Sequence, residues 1–325
     1  MSHSLLLTGA TGNTGQVIAE ELKRRLIPFA AMVHSERRKA QLAAAGIESV
    51  MGDFDNPESM ERALEGVEKA YLVCTPDEKL VQRETAFINA AKKAGVQLIV
   101  KCSALLAGPT AETQNLRSHG VVEEALIKSG IAYTILRPTG YMQTFTLFGW
   151  DMIQKAGVIS MPAGDGRMAM VDVRDVATVA IKALTEPGHT GKAYDITGAE
   201  AFNLYEMASD LQKALGHSVT YLPGNEQQLT MVMRVLGVPP TPSEHVIKIF
   251  RMQREHRIEM IHTTLQELGI TPITYAQFAR DLVAGRTGGG NSFQPPDTFM
   301  VRLMNAMMPT MMKMQLAFSG AKKTG

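Results

Sequence analysis

The chain has 325 residues, and its 33 Lys and Arg against 32 Asp and Glu leave a formal net charge of +1. That balance gives no electrostatic reason to expect nucleic acid or an anionic membrane as partner, and the length accommodates one large α/β domain with a smaller lobe. No signal-peptide pattern opens the sequence, no apolar stretch reaches the roughly 18 residues of a spanning helix, and the two cysteines, Cys74 and Cys102, lie inside apolar runs, so a cytoplasmic protein with core thiols and no metal site is expected.

The first element is a short apolar run, Leu5 to Leu7, that reads as a buried parallel strand. Gly9, Gly12 and Gly15 follow at three-residue spacing, and then Val17, Ile18, Leu22 and Leu26 recur at helical intervals. Strand, glycine turn and helix form the context that a dinucleotide-binding motif requires. Side chains would hold the backbone away from a pyrophosphate. Glycines permit the tight turn, and the positive end of the helix then meets the phosphates. Gly9, Thr11, Gly12, Asn13, Thr14 and Gly15 are therefore the first candidate cofactor contacts.

Ile27 to His34 reads as the second strand. A site for NAD places an acid about 20 residues after the glycines, where it binds the ribose hydroxyls. Here His34 and Ser35 lead into Glu36-Arg37-Arg38-Lys39. A guanidinium grips a 2′-phosphate where an acid repels it, so His34, Arg37 and Arg38 point to NADP; the alternative is a solvated basic helix start. Val50 to Asp55 ends the third strand, and Asn56 before Pro57 is an N-cap with proline in the first helical position. Lys69 to Thr75 is the fourth strand, Asp77 to Ala94 an amphipathic helix closed by Gly95, and Val96 to Ser103 the fifth strand. Ligands of parallel sheets bind outside the carboxyl ends of the strands. Cys74, Thr75, Cys102 and Ser103 thus fall in the zone of a nicotinamide ribose, where the two cysteines could approach each other, although both read chiefly as packing residues.

The glycine spacing is G-x-x-G-x-x-G, unlike the G-x-G-x-x-G of ordinary dehydrogenases. Together with the stretch from Asn115 through His119 and Glu123 to Pro138, which follows the pattern H-x3-E…SGI-x-YT-x-LRP, it resembles the NmrA-like branch of atypical short-chain dehydrogenase/reductases. That branch includes triphenylmethane reductases, type-2 quinone oxidoreductases and redox-sensing regulators. The resemblance runs from residue 1 to about 286, with specific motifs as far as Pro138 and weaker ones beyond. It implies an adenine contact at Asp53, in the segment that also holds Phe54, and a loop beside the nicotinamide after Pro138. Tyr141, Met142, Phe145 and Phe148 would then line an apolar substrate cleft, or alternatively pack a hinge between lobes. Standard short-chain reductases carry a Tyr-x3-Lys pair on the helix ended here by Gly130. Counting back from Glu123, the lysine position holds His119 and the tyrosine position Asn115, so the dyad is absent. Conventional alcohol–ketone chemistry is thereby disfavoured. Quinones and conjugated dyes accept hydride readily and mainly need positioning. His119, as ribose ligand or proton donor near neutral pH, with Asn115 and Tyr141, makes the candidate catalytic set.

In the second half, Gly157 to Pro162, Met168 to Val176 and Lys192 to Thr197 read as short strands. Val173-Arg174-Asp175-Val176-Ala177 matches a family element whose acid caps the helix after it. Asn203 with Glu206 is a capping box for a helix over 204–215, closed by Gly216. Pro239-Pro240 breaks two helices, and a last helix is expected from Thr271 to Leu282. Residues 287–297 have the composition of a flexible linker. Phe299 to Phe318 holds 7 of the 21 methionines, and is expected to be an apolar arm docking on its own subunit or on a neighbour in a homo-oligomer; interfacial membrane contact and disorder are the alternatives. Arg302, Pro309 and Lys313 prevent it from spanning a bilayer.

The whole reads as α/β, a doubly wound parallel sheet of the Rossmann type over 1–150, with a smaller α/β substrate lobe over 151–286, partly interleaved with the sheet, and a linker and tail over 287–325. The expected function is reduction of an apolar conjugated acceptor such as a quinone, with NADPH favoured over NADH. The alternative is a non-catalytic NAD(P)-sensing regulator.

Overall fold

The computed structural model describes residues 4–144 and 149–287. Its centre is a seven-stranded, wholly parallel sheet. The strands are β1 (Leu5–Leu7), β2 (Ala30–Val33), β3 (Ser49–Met51), β4 (Lys69–Leu72), β5 (Leu98–Cys102), β6 (Ala132–Pro138) and β8 (Lys192–Ile196), in the order β3-β2-β1-β4-β5-β6-β8. The order reverses between β1 and β4, which is where an open α/β sheet leaves a crevice for a ligand. A strand buried on both faces must be apolar throughout, and β1, β2 and β4 beyond Lys69 are so.

Alternation along the strands divides the core. Leu5, Leu7, Tyr71, Val100, Cys102 and Leu136 face α1 (Asn13–Arg24) and α7 (Val173–Thr185). Leu6, Ala70, Leu72, Ile99 and Ile135 face the other way, against α3 (Pro57–Ala63), α4 (Leu80–Ala94) and α5 (Gln114–Ser129). A third cluster, around Met161, Phe202, Leu204, Met207, Tyr275 and Phe278, belongs to the second half of the chain. There the two-stranded parallel sheet of β7 (Val158–Ile159) and β9 (Thr220–Tyr221) packs with α6 (Trp150–Ala156), α8 (Leu204–Leu215), α9 (Glu226–Val235), α10 (Pro240–Arg254) and α11 (Tyr275–Val283).

Local signals place most of these elements. Asn56 accepts from Ser59 N at 3.1 Å with Pro57 behind it. Asn203 and Glu206 close the capping box, Gly216 ends α8 in the left-handed conformation, and Pro240 begins α10. Two expectations fail. Met168 to Val176 is no strand: Met168 bridges Phe202, Val171 bridges Tyr141, and α7 starts at Val173. The reason is the cap. Asp172 accepts Arg174 N at 2.8 Å and starts the helix, so Asp175 is not the capping acid; it lies buried in the first turn and accepts Ile273 N at 2.9 Å. Among the described residues no helix is long and apolar enough to cross a membrane. Phe145, Phe148 and the arm over 299–318 lie outside the described residues.

Candidate cofactor and substrate site

The glycine turn joins β1 to α1, and its three glycines have different reasons. Gly9 has φ +63°, and a Cβ there would stand 2.6 Å from Val73 Cγ1. A Cβ on Gly15 would lie 2.1 Å from the Gly9 carbonyl oxygen, so helix and turn touch backbone to backbone. Gly12 is different: its φ is −91°, and a Cβ would come only to 3.2 Å from the same oxygen. The neighbour must give by only a few tenths of an ångström there, so the fold's own demand for glycine is weaker than at Gly9 and Gly15. Gly12 is also the N-cap of α1, no side chain caps the helix, and its first turn holds no acid. By contrast Ser35 and Asn56 cap α2 (Glu36–Ala44) and α3 with their own oxygens. The first N–H groups of α1 therefore remain for an external anion, and a phosphate group fits this turn. Thr11 and Asn13 stand at its rim, while Thr14 is buried with its hydroxyl 2.9 Å from Tyr71 Oη; only its backbone faces the turn's function.

Beyond β2, His34 and Arg37 are exposed, and Arg38 is half-buried, donating to Gln41 Oε1 at 3.1 Å. The strand end carries no acid, and Glu36 points to solvent from the first turn of α2. Asp53 is exposed, its Oδ1 accepting Asp55 N at 2.9 Å, which leaves lone pairs for a donor. Asp55 itself is gripped by Arg83 at 3.0 and 2.7 Å, an arginine that holds its carboxyl below the usual range. Phe54 packs against Phe87 at 5.8 Å between ring centres.

The carboxyl ends of β4, β5 and β6 bring Cys74, Thr75, Ser103 and Pro138 to one edge. Thr75 is exposed and Pro138 buried. The two cysteines do not approach: Cys74 packs on the α4 side and Cys102 on the α1 side, because the pleat sends them to opposite faces. Burial pushes the Cys74 thiol up, so it stays protonated. Ser103 spends its proton on Glu123, and Glu123 also receives Arg137 Nε and Nη2 in a forked pair. The glutamate of H-x3-E and the arginine of L-R-P are thus partners that tie α5 to β6.

His119 is buried on α5 and faces β5. Its Nδ1 lies 3.3 Å from Lys101 Nζ, and Lys101, completely buried, stands 2.9 Å from the equally buried Glu84. Burial, then Lys101, then His245 hold the ring's pKa well below the usual imidazole value, so His119 is neutral. This corrects the expectation that it donates a proton near neutrality. Asn115 is buried one turn earlier. Tyr141 turns away from them, its hydroxyl 3.7 Å from Cys102 Sγ on the other face of the sheet. Met142 is 1% exposed and fills the second-half core, a packing residue and not a cleft wall. Lys101 and Glu84 escaped the sequence reading. The signal was present: a lysine inside a strand buried on both faces needs a buried acid.

Helix α10 of the second half crosses to the loops above this edge. Thr241 donates to Glu78 at 2.7 Å, His245 Nδ1 meets Thr113 Oγ1 at 3.0 Å, and Lys248 reaches the Glu112 carbonyl at 3.2 Å. Among the described residues no cluster of three or more potential ligands could hold a metal.

The NmrA-like family matches residues 1–268 of the chain. An NAD(P)H azoreductase of Xenophilus azovorans is 31% identical over 85% of this chain and 96% of its own length. Quinone oxidoreductase 2 of Escherichia coli is 33% identical over 72% of this chain and 82% of its own. The triphenylmethane reductase of a Citrobacter species, solved with NADP(H), superposes with a TM-score of 0.77 at 25% identity, covering 86% of this chain and 99% of that one. With fold, glycine turn and sequence in agreement over most of its length, the chain belongs to the NmrA-like family.

Proposed function

We propose that the protein is an NADPH-dependent reductase of apolar conjugated acceptors, such as quinones or azo and triarylmethane dyes. The observation that carries this reading is the turn at Gly12: a glycine at the start of a helix that no side chain caps, in a chain whose relatives are named as reductases. The pyrophosphate would lie against the N–H groups of α1, the adenosine end against Asp53 and the basic start of α2 with Arg37 and Arg38, and the nicotinamide end beside Thr75, Ser103, Asn115 and His119. When bound, NADPH supplies the hydride. The chain's own residues orient and exclude water: α10 covers the edge, and neutral His119 offers a hydrogen bond without giving up a proton. No tyrosine–lysine dyad stands at the edge, which suits acceptors that take hydride without strong acid assistance. Net charge near zero favours a small uncharged substrate over a polyanion.

NADPH oxidation by the purified protein against quinones, azo dyes, triarylmethane dyes, enones and simple ketones tests the proposal. Turnover with at least one conjugated class and none with simple ketones is expected. Tight NADPH binding with no oxidation across the set would overturn it and leave a cofactor sensor.

A further inference from the structure

Lys101 is fully buried, and a buried ammonium needs a counter-charge and acceptors around it. Here a glutamate supplies the charge, and two further groups lie within hydrogen-bond reach. Lys101 Nζ lies 2.9 Å from Glu84 Oε2, 3.3 Å from His119 Nδ1, and donates to the Cys102 carbonyl. Glu84 Oε1 accepts from Cys74 N at 3.1 Å, while Oε2 faces Lys101 in the ion pair and accepts no hydrogen bond from the described residues. An ammonium is a donor only, and a carbonyl oxygen and a carboxylate can only accept from it. Nδ1 of His119 must then be an acceptor, and the ring's single proton sits on Nε2. That nitrogen has no hydrogen-bond partner among the described residues, on a ring flanked by Lys101 of β5 and His245 of α10.

We propose that Lys101, held by Glu84, is a positioning residue that locks His119 in the neutral Nε2–H tautomer and so aims one fixed hydrogen-bond donor at the acceptor's oxygen or nitrogen. This rests on the reductase reading above. In quinone reduction, one hydride from NADPH and one proton from water give the hydroquinone and NADP⁺. His119 keeps its proton and hydrogen-bonds the oxygen on which charge gathers. The lysine thus stands behind the histidine, on β5, and does through the ring what it does not do to substrate directly. The charged or titratable groups facing His119 are Lys101 from β5, with Glu84 of α4 behind it, and His245 from α10, which burial brings down to about 4 and thus keeps neutral.

Nitrogen NMR of ring-labelled histidine reads the tautomer directly, the His119 signal being identified by its loss in His119→Gln. The wild type should show Nε2–H and bare Nδ1 from about pH 8 down to about pH 5.5 without a midpoint, although a free imidazole titrates near 6.5. In Lys101→Met, both tautomers and a titration inside that range are expected. Lys101→Met/Glu84→Gln removes both charges together and serves if the single variant does not fold. With the best acceptor, kcat of these variants should fall about tenfold, the worth of one hydrogen bond, with KM for NADPH changed less than twofold. A wild-type His119 protonated on Nδ1 or titrating above about pH 5.5, or a tautomer unmoved when the charges are removed, would overturn the proposal. If no acceptor is turned over, the reductase reading fails, while the NMR result still judges Lys101.

Discussion

Two stretches along the carboxyl edge of one sheet solve opposite electrostatic problems. In the β1–α1 stretch, positive charge is left unclaimed: α1 has no capping side chain, its first turn holds no acid, and its N-cap, Gly12, carries no side chain. In the β5–α5 stretch, every charge is claimed. Glu84 answers Lys101, and Glu123 takes both Ser103 and Arg137. The first stretch waits for an anion from outside; the second must be complete before anything arrives, because a buried charge without a partner costs more than the fold can spare. A binding site and a structural network are told apart here by what is missing, not by what is present.

The largest test of the contrast is Glu84→Leu. It strands the Lys101 ammonium in the core, and breaking a buried pair from one side costs about 3–5 kcal/mol. Denaturant unfolding should show that loss with or without NADPH, since the pair owes nothing to the ligand. A loss under about 1 kcal/mol would mean that Lys101 is not held as a buried ion.

The glycines sharpen the contrast within the first stretch. In Gly15→Ala the Cβ would press on the Gly9 carbonyl, at 2.1 Å, against backbone that cannot yield cheaply. Overpacking of this kind costs about 1–3 kcal/mol, so the melting temperature should drop along with NADPH affinity. Gly12→Ala meets the same oxygen at 3.2 Å. It should lose clearly less stability than Gly15→Ala, yet bind NADPH more weakly, because its methyl occupies the pyrophosphate's approach. Equal stability losses in the two variants would erase the distinction between a glycine for the fold and a glycine for the ligand.

The last test concerns the arginines at the start of α2. Arg38→Ala removes a guanidinium whose only side-chain hydrogen bond among the described residues is to Gln41, so stability should not change. A charge-assisted contact to a 2′-phosphate is worth about 1.5–3 kcal/mol. Calorimetric titration should therefore show NADPH weakened roughly tenfold or more, and NADH unchanged. Equal wild-type affinities for the two cofactors would remove any role for Arg37 and Arg38 in selection.

Much of this was legible from local chemistry. Strand, glycine turn and helix announce themselves because glycine spacing, apolar runs and 3.6-residue periodicity act within a few residues of each other; Asn56-Pro57 and Asn203 with Glu206 mark their helices for the same reason. The missing Tyr-x3-Lys pair is likewise a statement about one helix. What the sequence by itself determined is thus the order of elements, the glycine turn at Gly12 and the absence of the dyad. Tertiary structure alone decided which side of the sheet each strand-end residue faces. It parted Cys74 from Cys102, turned Tyr141 toward Cys102 and away from His119, sank Met142 into the second-half core, and brought Lys101 of one strand between a glutamate 17 positions earlier and a histidine 18 positions later. The physical reason is that pairing of buried charges is set by three-dimensional proximity in a low-dielectric interior, and sequence spacing across separate elements carries no record of it.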